Sequence, residues 1–221
     1  MSPRAYDRSG RSAALARTRE RITRATFALH AEKGILGTSY ADIARKADVS
    51  IPTVYAHFPS LENLVEACGA HIVRSFPPPG PDVLEGRRSR AARLDALVDA
   101  MFDFYDRIGG SFRAEAEESA ALPSVRAFHA KRRLALRNLL AEALAPAPAD
   151  PEAGRLLEVA VVLLDHPSWR ALTAALGPGG ARKAARAALE AFFAPARRRR
   201  GARGTVNVPP GTKGAARDHQ P

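Results

Sequence analysis

The sequence predicts an all-α protein with a small N-terminal head and a larger helical body. Three observations predict it. Apolar residues recur at three- and four-residue spacing through most of the chain. No segment alternates apolar and polar residues in the manner of a half-buried strand. The periodic stretches are separated by Gly and Pro clusters, Gly34, Pro77–Pro81, Gly109-Gly110, Pro146–Pro148 and Gly177–Gly180 among them.

Composition narrows the class. The chain has 221 residues, 34 Lys+Arg against 23 Asp+Glu, a net charge of +11, and one cysteine. One cysteine excludes an intramolecular disulfide framework and a multi-cysteine zinc site. The longest aliphatic block, Val159–Leu164, is far short of the roughly 18 residues a membrane helix needs. Met1–Ala14 has no apolar core of the kind a secretory signal carries. A soluble cytoplasmic chain without membrane contact is the expectation. Charge is uneven: residues 1–60 hold ten basic and five acidic residues, residues 61–194 seventeen of each, and residues 195–221 seven and one. A basic head on a neutral body suggests polyanion binding, while a solvated surface with a basic tail reads the same charges equally well. Arg accounts for 29 of the 34 basic residues, which suits phosphate and base recognition and fits a compositional bias equally.

The elements follow in order. Residues 1–14 read as a flexible basic arm. Helical signal starts near Leu15, puts Ile22, Ala25, Thr26 and Leu29 on one face and stops at Gly34. Thr38 or Ser39 can cap a helix Tyr40–Ala47. Asp48-Val49-Ser50 makes a tight turn. Ser50 can cap a short helix Ile51–His57, where Pro52 sits in the first turn and its missing N–H costs little. Ser60 can cap a fourth helix from Leu61. Two short helices joined by a three-residue turn make a helix-turn-helix unit. The Pro-rich stretch Phe76–Gly86 reads as a linker and the best boundary in the chain. Beyond it, Leu94, Leu97, Val98, Met101, Phe102 and Tyr105 form one amphipathic face. Further helices are expected over Ser111–Ala121, Ser124–Leu144, Glu152–Asp165, a short continuation capped by Ser168 through Leu176, and Ala181–Phe193. From Pro195 the tail reads as disordered and basic. Head and body are divided as residues 15–60 and 61–194.

The second helix of such a unit fits a DNA major groove. Its groove-facing residues here are Ser50, Ile51, Pro52, Thr53, Tyr55 and His57, with Val54 and Phe58 packing inward. Ile51, Pro52 and the Thr53 methyl suit thymine methyl groups. The hydroxyls of Thr53 and Tyr55 and the His57 ring suit phosphates or bases. Without Arg, Asn or Gln, readout leans on apolar contact and DNA shape. Arg4, Arg8, Arg11 and Arg17 suit either minor-groove insertion or general attraction to DNA.

The stretch Gly34–Leu64, through Gly34, Thr38, Asp42-Ile43-Ala44, Ala47, Val49-Ser50, Thr53, Tyr55, His57-Phe58, Ser60 and Leu64, resembles the N-terminal domain of the TetR family of transcriptional regulators. Arg19–Gly34 is similar to that family's first helix. The resemblance implies a three-helix helix-turn-helix DNA-binding domain followed by a C-terminal helical ligand-binding and dimerisation bundle. It implies backbone contacts from Tyr55 and His57, base contacts from Ile51 and Pro52, Thr53 at the DNA-facing helix start, and phosphate contact from Thr38 or Ser39. Leu61 departs from a usual Lys, and His30 from a usual apolar aromatic. Tyr40 departs from a smaller aliphatic residue and is itself counted among the DNA-facing residues. His30 is read as a satisfied core histidine, with a pH-sensitive packing defect as the alternative.

A two-fold operator needs a two-fold protein. Helices about 152–165 and 181–193 are expected to build a homodimer, the first because it is apolar nearly all round. The expected partners are palindromic double-stranded DNA and a small-molecule effector. Candidate ligand residues are Met101, Phe102, Tyr105, Phe112, Phe128, His129, Leu136, His166 and Trp169, most of which also suit an ordinary core. Glu115, Glu117 and Glu118 suit a cationic ligand or a solvated face. Cys68 is read as a small buried filler. No phosphate loop, metal-spaced cluster or nucleophile motif is present, so neither cofactor, metal nor enzyme activity is expected. The function expected is a ligand-released repressor, with a non-specific architectural DNA-binding protein as the alternative.

Overall fold

The computed structural model describes residues 8–109, 118, 120–145 and 151–193. Eight α-helices and one 3-10 turn are found among them, and no strand: α1 (Arg8–Lys33), α2 (Tyr40–Ala47), α3 (Ile51–His57), α4 (Leu61–Ser75), a 3-10 turn (Pro81–Leu84), α5 (Arg90–Ile108), α6 (Pro123–Leu144), α7 (Pro151–Leu163) and α8 (His166–Phe192).

Two large cores organise these helices. The head core joins Ile22, Ala25 and Leu29 of α1, Ile43, Ala44 and Ala47 of α2, Val54 and Phe58 of α3 and its cap, and Leu64 of α4. The body core joins Leu94, Leu97, Val98, Met101, Phe102 and Tyr105 of α5 to Leu136, Leu139 and Leu140 of α6, Ala160 and Val161 of α7, and Ala181, Ala185 and Leu189 of α8. A smaller third cluster, Val65, Leu122 and Val125 with Ile35 and Leu61 against it, lies where head and body meet. Burial of apolar surface contributes roughly 25 cal/mol per Å², so each cluster is a substantial source of cohesion.

Helix α4 belongs to both parts. Leu64 is in the head core and Ile72 in the body core. The Pro-rich stretch is correspondingly not a loose linker. Phe76 and Val83 pack against the body core, and Leu84 is buried in it.

Several element boundaries differ from the sequence reading. Helix α1 begins at Arg8, seven residues before Leu15, so residues 8–14 are helical. The first seven residues lie outside the described residues, as do Phe112, Glu115, Glu117 and everything from Ala194 onward, including Arg197–Arg200. Of the expected helix Ser111–Ala121, Glu118, Ala120 and Ala121 are described, and all three are helical. The cap of α8 is Asp165, whose carboxylate accepts the His166 N–H at 2.8 Å, and not Ser168. The Ser168 hydroxyl instead reaches back to the Val162 carbonyl at 2.6 Å. Gly177, at φ 70°, breaks the helical path of α8 ahead of Pro178, where a turn was expected.

The two halves of the body are tied by charge as well. Arg182 of α8 lies 2.7 Å from both Asp103 and Asp106 of α5, and Arg186 pairs with Asp99. The four-residue spacing of Asp95, Asp99 and Asp103 places them on one helix face, which is why two arginines can reach them.

Candidate nucleic-acid interface and body groove

Helix α3 is held from three sides, and each hold follows from local sequence. At its start, Ser50 takes an extended conformation and its Oγ accepts the Thr53 N–H at 3.2 Å. That satisfies one of the free donors of the first turn. The Thr53 and Ser50 hydroxyls are 2.7 Å apart. Along its inner face, Val54 and Phe58 are fully buried. At its end, Arg19 of α1 donates to the His57 carbonyl at 2.7 Å, and its guanidinium lies 4.2 Å above the Phe58 ring.

The supporting helix α2 is fixed by a reciprocal cap. The Ser39 Oγ accepts the Asp42 N–H at 3.1 Å, while the Asp42 carboxylate accepts the Ser39 N–H at 3.3 Å. Lys33 reaches the same carboxylate at 2.5 Å, and Arg45 also pairs with it. The hydrogen bonds from Lys33 and Ser39 hold the Asp42 carboxyl well below the usual carboxylate range. The cap of α2 is thus Ser39. Thr38 turns the other way and donates to the Gly34 carbonyl at 2.7 Å. Asp48 ends α2 in the left-handed region, φ 52°, and Arg21 of α1 donates to its carbonyl at 2.8 Å.

These holds leave one face of α3 outward. Ser50, Ile51, Pro52, Tyr55 and Ala56 are exposed, and Thr53 and His57 are partly exposed. Tyr55 does not stand alone. Its ring stacks on Tyr40 with centroids 4.2 Å apart and planes 10° from parallel. The Tyr40 hydroxyl donates to the Phe58 carbonyl at 3.0 Å, so its proton is committed inside the protein. Burial, with the nearby Tyr55 and Glu62, raises the Tyr40 pKa. Arg19 and Arg21 were not among the residues singled out from sequence. They satisfy the carbonyls of His57 and Asp48, at the ends of α3 and α2.

The other two departures seen in sequence, His30 and Leu61, and the lone Cys68 have different surroundings. His30 is buried and its Nε2 has no hydrogen-bond partner among the described residues, so it is a core histidine but not a satisfied one. Burial lowers its pKa to about 4. Leu61 packs against the small cluster between head and body. Cys68 is buried against the Thr23 carbonyl, and burial pushes its thiol up to about 12, which leaves it an inert filler.

The body holds an open groove of about 690 Å³ between α4 and α6. Val65, Gly69, Ala70 and Val73 of α4 face Ser124, Ala127, Phe128, Lys131 and Ala135 of α6 across it. Of the ligand residues expected from sequence, Phe128 lines this groove. Met101, Phe102, Tyr105, Leu136 and His166 are buried in the core instead. Tyr105 donates to the Leu164 carbonyl at 3.0 Å and packs with His166 and Trp169 at 5.4 and 5.6 Å between rings. His129 lies beside Phe128 and within 3.1 Å of Arg132. No residue of the α4 wall is among the ligand residues expected from sequence. Gly69 in mid-helix is the clue: a Cβ there would meet the Phe128 ring at 3.0 Å, a contact tight enough that the ring would have to give way.

Head and body also meet through a hydrogen bond. The buried Glu118 carboxylate accepts the N–H of Ile35, in the loop between α1 and α2. Among the described residues, no group of three or more His, Cys, Asp or Glu is placed to hold a metal, and no helix is long and apolar enough to cross a membrane.

Comparison with known proteins bears on the head and on the whole fold separately. The family model for bacterial regulatory proteins of the tetR family matches residues 22–68. A tetR-family transcriptional regulator from Streptomyces coelicolor is similar in structure, with 20% identity, 80% of this chain and 79% of that chain covered, and a TM-score of 0.60. The multidrug binding protein EbrR complexed with imidazole shares 24% identity over 81% of this chain and 97% of its own, at TM-score 0.56. Salmonella enterica GusR shares 23% over 80% and 95%, at 0.54. No curated protein matches the chain. The structural likenesses establish an all-α fold shared over most of the chain.

Proposed function

We propose that this chain, whose residues 22–68 match the model of the tetR family of bacterial regulatory proteins, is a repressor that binds a palindromic operator as a homodimer and leaves it when a small molecule enters the body. The observation that carries the reading is the outward face of α3. Ile51, Pro52 and Tyr55 are exposed there together. Ser50, Thr53 and His57 complete that face, with Ser39 at the start of α2 beside it. Apolar contact to thymine methyls, hydroxyl and imidazole contact to phosphates, and groove shape supply recognition.

The dimer reading is supported by α7. Val159 and Val162 are about half exposed on one face while Ala160 and Val161 are fully buried on the other. A second copy covering that face, together with the second arm of α8, would complete a four-helix contact. A two-fold pair presents two α3 helices to two half-sites about one turn of DNA apart.

The effector reading is supported by the groove. Similar structures include EbrR complexed with proflavin, and the α4–α6 groove is of a size that small-molecule sites have. Occupation of the groove would act on α4, which is packed into both cores, and on the segment that carries Glu118 and Leu122. Either displacement changes how the head is seated. The ligand must bind the released state more tightly than the DNA-bound one for release to follow.

The deciding experiment is selection of bound genomic fragments by the purified chain at physiological salt. An enriched palindrome supports the proposal. Retention of DNA with no shared motif would replace it with non-specific architectural binding.

A further inference from the structure

We propose that the groove between α4 and α6 takes an amphipathic organic anion, its acidic group at Lys131 and its apolar body along Phe128, Gly69 and Ala127. The proposal rests on the reading of this groove as the effector site and adds the chemical class.

The direction of the two helices sets the argument. Val65 of α4 clusters with Val125 of α6, and Gly69 abuts Phe128. Both chains therefore advance the same way, and the next turn brings Val73 and Arg74 level with Lys131 and Arg132. The groove is apolar in its middle and cationic at this end. Glu66, the single acidic lining residue, lies two turns nearer the head.

The cations are not equivalent. Arg132 lies 3.6 Å from Asp165 and 3.1 Å from the His129 ring nitrogen. Arg74 lies 3.8 Å from Glu20. Lys131 is exposed and has no carboxylate within ion-pair distance among the described residues. It is the charge left for a ligand, and its flexible stem suits a point contact to a carboxylate or sulfonate.

A second polar handle sits at the opposite end. The Ser124 Oγ lines the groove, is buried, and has no hydrogen-bond partner among the described residues. Seven residues of helix separate Ser124 from Lys131, or about 10 Å. An acidic group and a hydrogen-bonding group spaced by that distance across an apolar span match both ends.

The test uses the full-length chain and 1-anilinonaphthalene-8-sulfonate as the reporter. Decanoate, decylamine and decanol are titrated against it, below their aggregation limits. The expected result is displacement by decanoate at a concentration at least fivefold lower than by decylamine, with that preference lost in Lys131→Glu. Ala127→Trp, checked for native helix content by circular dichroism, fills the groove and is expected to abolish reporter binding. Equal or better displacement by decylamine overturns the anionic class while leaving the groove as an effector site. An undiminished preference in Lys131→Glu overturns the role of that residue. Binding unchanged by Ala127→Trp, or no binding of any probe to the folded chain, overturns both the class and the groove itself.

Discussion

Tyr40 touches α3 twice, by stacking on Tyr55 and by donating to the Phe58 carbonyl. The stack fixes the ring that faces outward. Tyr40→Phe keeps the stack, and Tyr40→Leu removes it. Stacked aromatic pairs contribute about 1 kcal/mol. Tyr40→Leu is therefore expected to weaken operator binding roughly three- to tenfold, with Tyr40→Phe close to the parent, as read by fluorescence anisotropy on the selected operator. His30 makes the head acid-sensitive. The unfolded chain protonates it near its ordinary value of 6.5, whereas the folded chain keeps it neutral down to about 4. Stability is therefore full above 6.5 and falls as the pH drops through that interval, by about 2 kcal/mol at pH 5 relative to pH 7.5. Asp42 acts in the same sense at lower pH. Its carboxyl is held below its ordinary 3.8, so its contribution is present above that value and lost only as the pH falls further. Urea unfolding of His30→Phe at the two pH values should show the first of these dependences removed. An equal pH dependence in the variant would place the acid sensitivity elsewhere.

At the scale of elements, the reading unit is made of short-range rules, and this is why it was legible. Ser39 with Asp42, Ser50 with Thr53, and the Asp48 turn are each settled within four residues. Ser50→Ala is expected to cost about 1 kcal/mol, measurable as a lower midpoint in thermal unfolding. Asp48→Gly should offset part of such a loss, by roughly 0.5 kcal/mol, because the left-handed backbone at that position costs an L residue energy that glycine does not incur. The groove was not legible for the opposite reason. Its walls are α4 and α6, some sixty residues apart, and no short-range rule pairs them, although Gly69 abuts Phe128 where they approach. Periodicity correctly found the apolar face of α5 but cannot separate a core aromatic from one that lines a cavity. Met101, Phe102 and Tyr105, which are core, therefore look the same in sequence as Phe128, which lines the groove. The start of α1 was misplaced because its first turns are polar and exposed, and give no apolar period to read.

At the scale of the whole molecule, two features bear on regulation. The first is the exposed Val159 and Val162 face. Val159→Asp places a charge where a second copy would seat, and is expected to shift the chain toward monomer in sedimentation equilibrium and to weaken operator binding at least tenfold. A wild-type monomer at micromolar concentration would remove the two-fold reading. The second is the bond from Glu118 to Ile35. Glu118→Ala leaves a partly buried N–H without its acceptor, at a cost of about 1–3 kcal/mol. Faster hydrogen exchange at the Ile35 amide is the expected sign, and Glu118→Gln, which keeps a carbonyl oxygen, should restore most of the protection.

The single tryptophan of the chain carries a further consequence. Trp169 is in the body, 5.2 Å from His166 and 5.6 Å from Tyr105, and no tryptophan lies in the head. Its emission is therefore a label-free reporter of one half of the molecule only. A shift in its spectrum on adding operator would therefore report a change carried from head to body, so one fluorescence titration reads intramolecular communication with no dye attached and no residue changed.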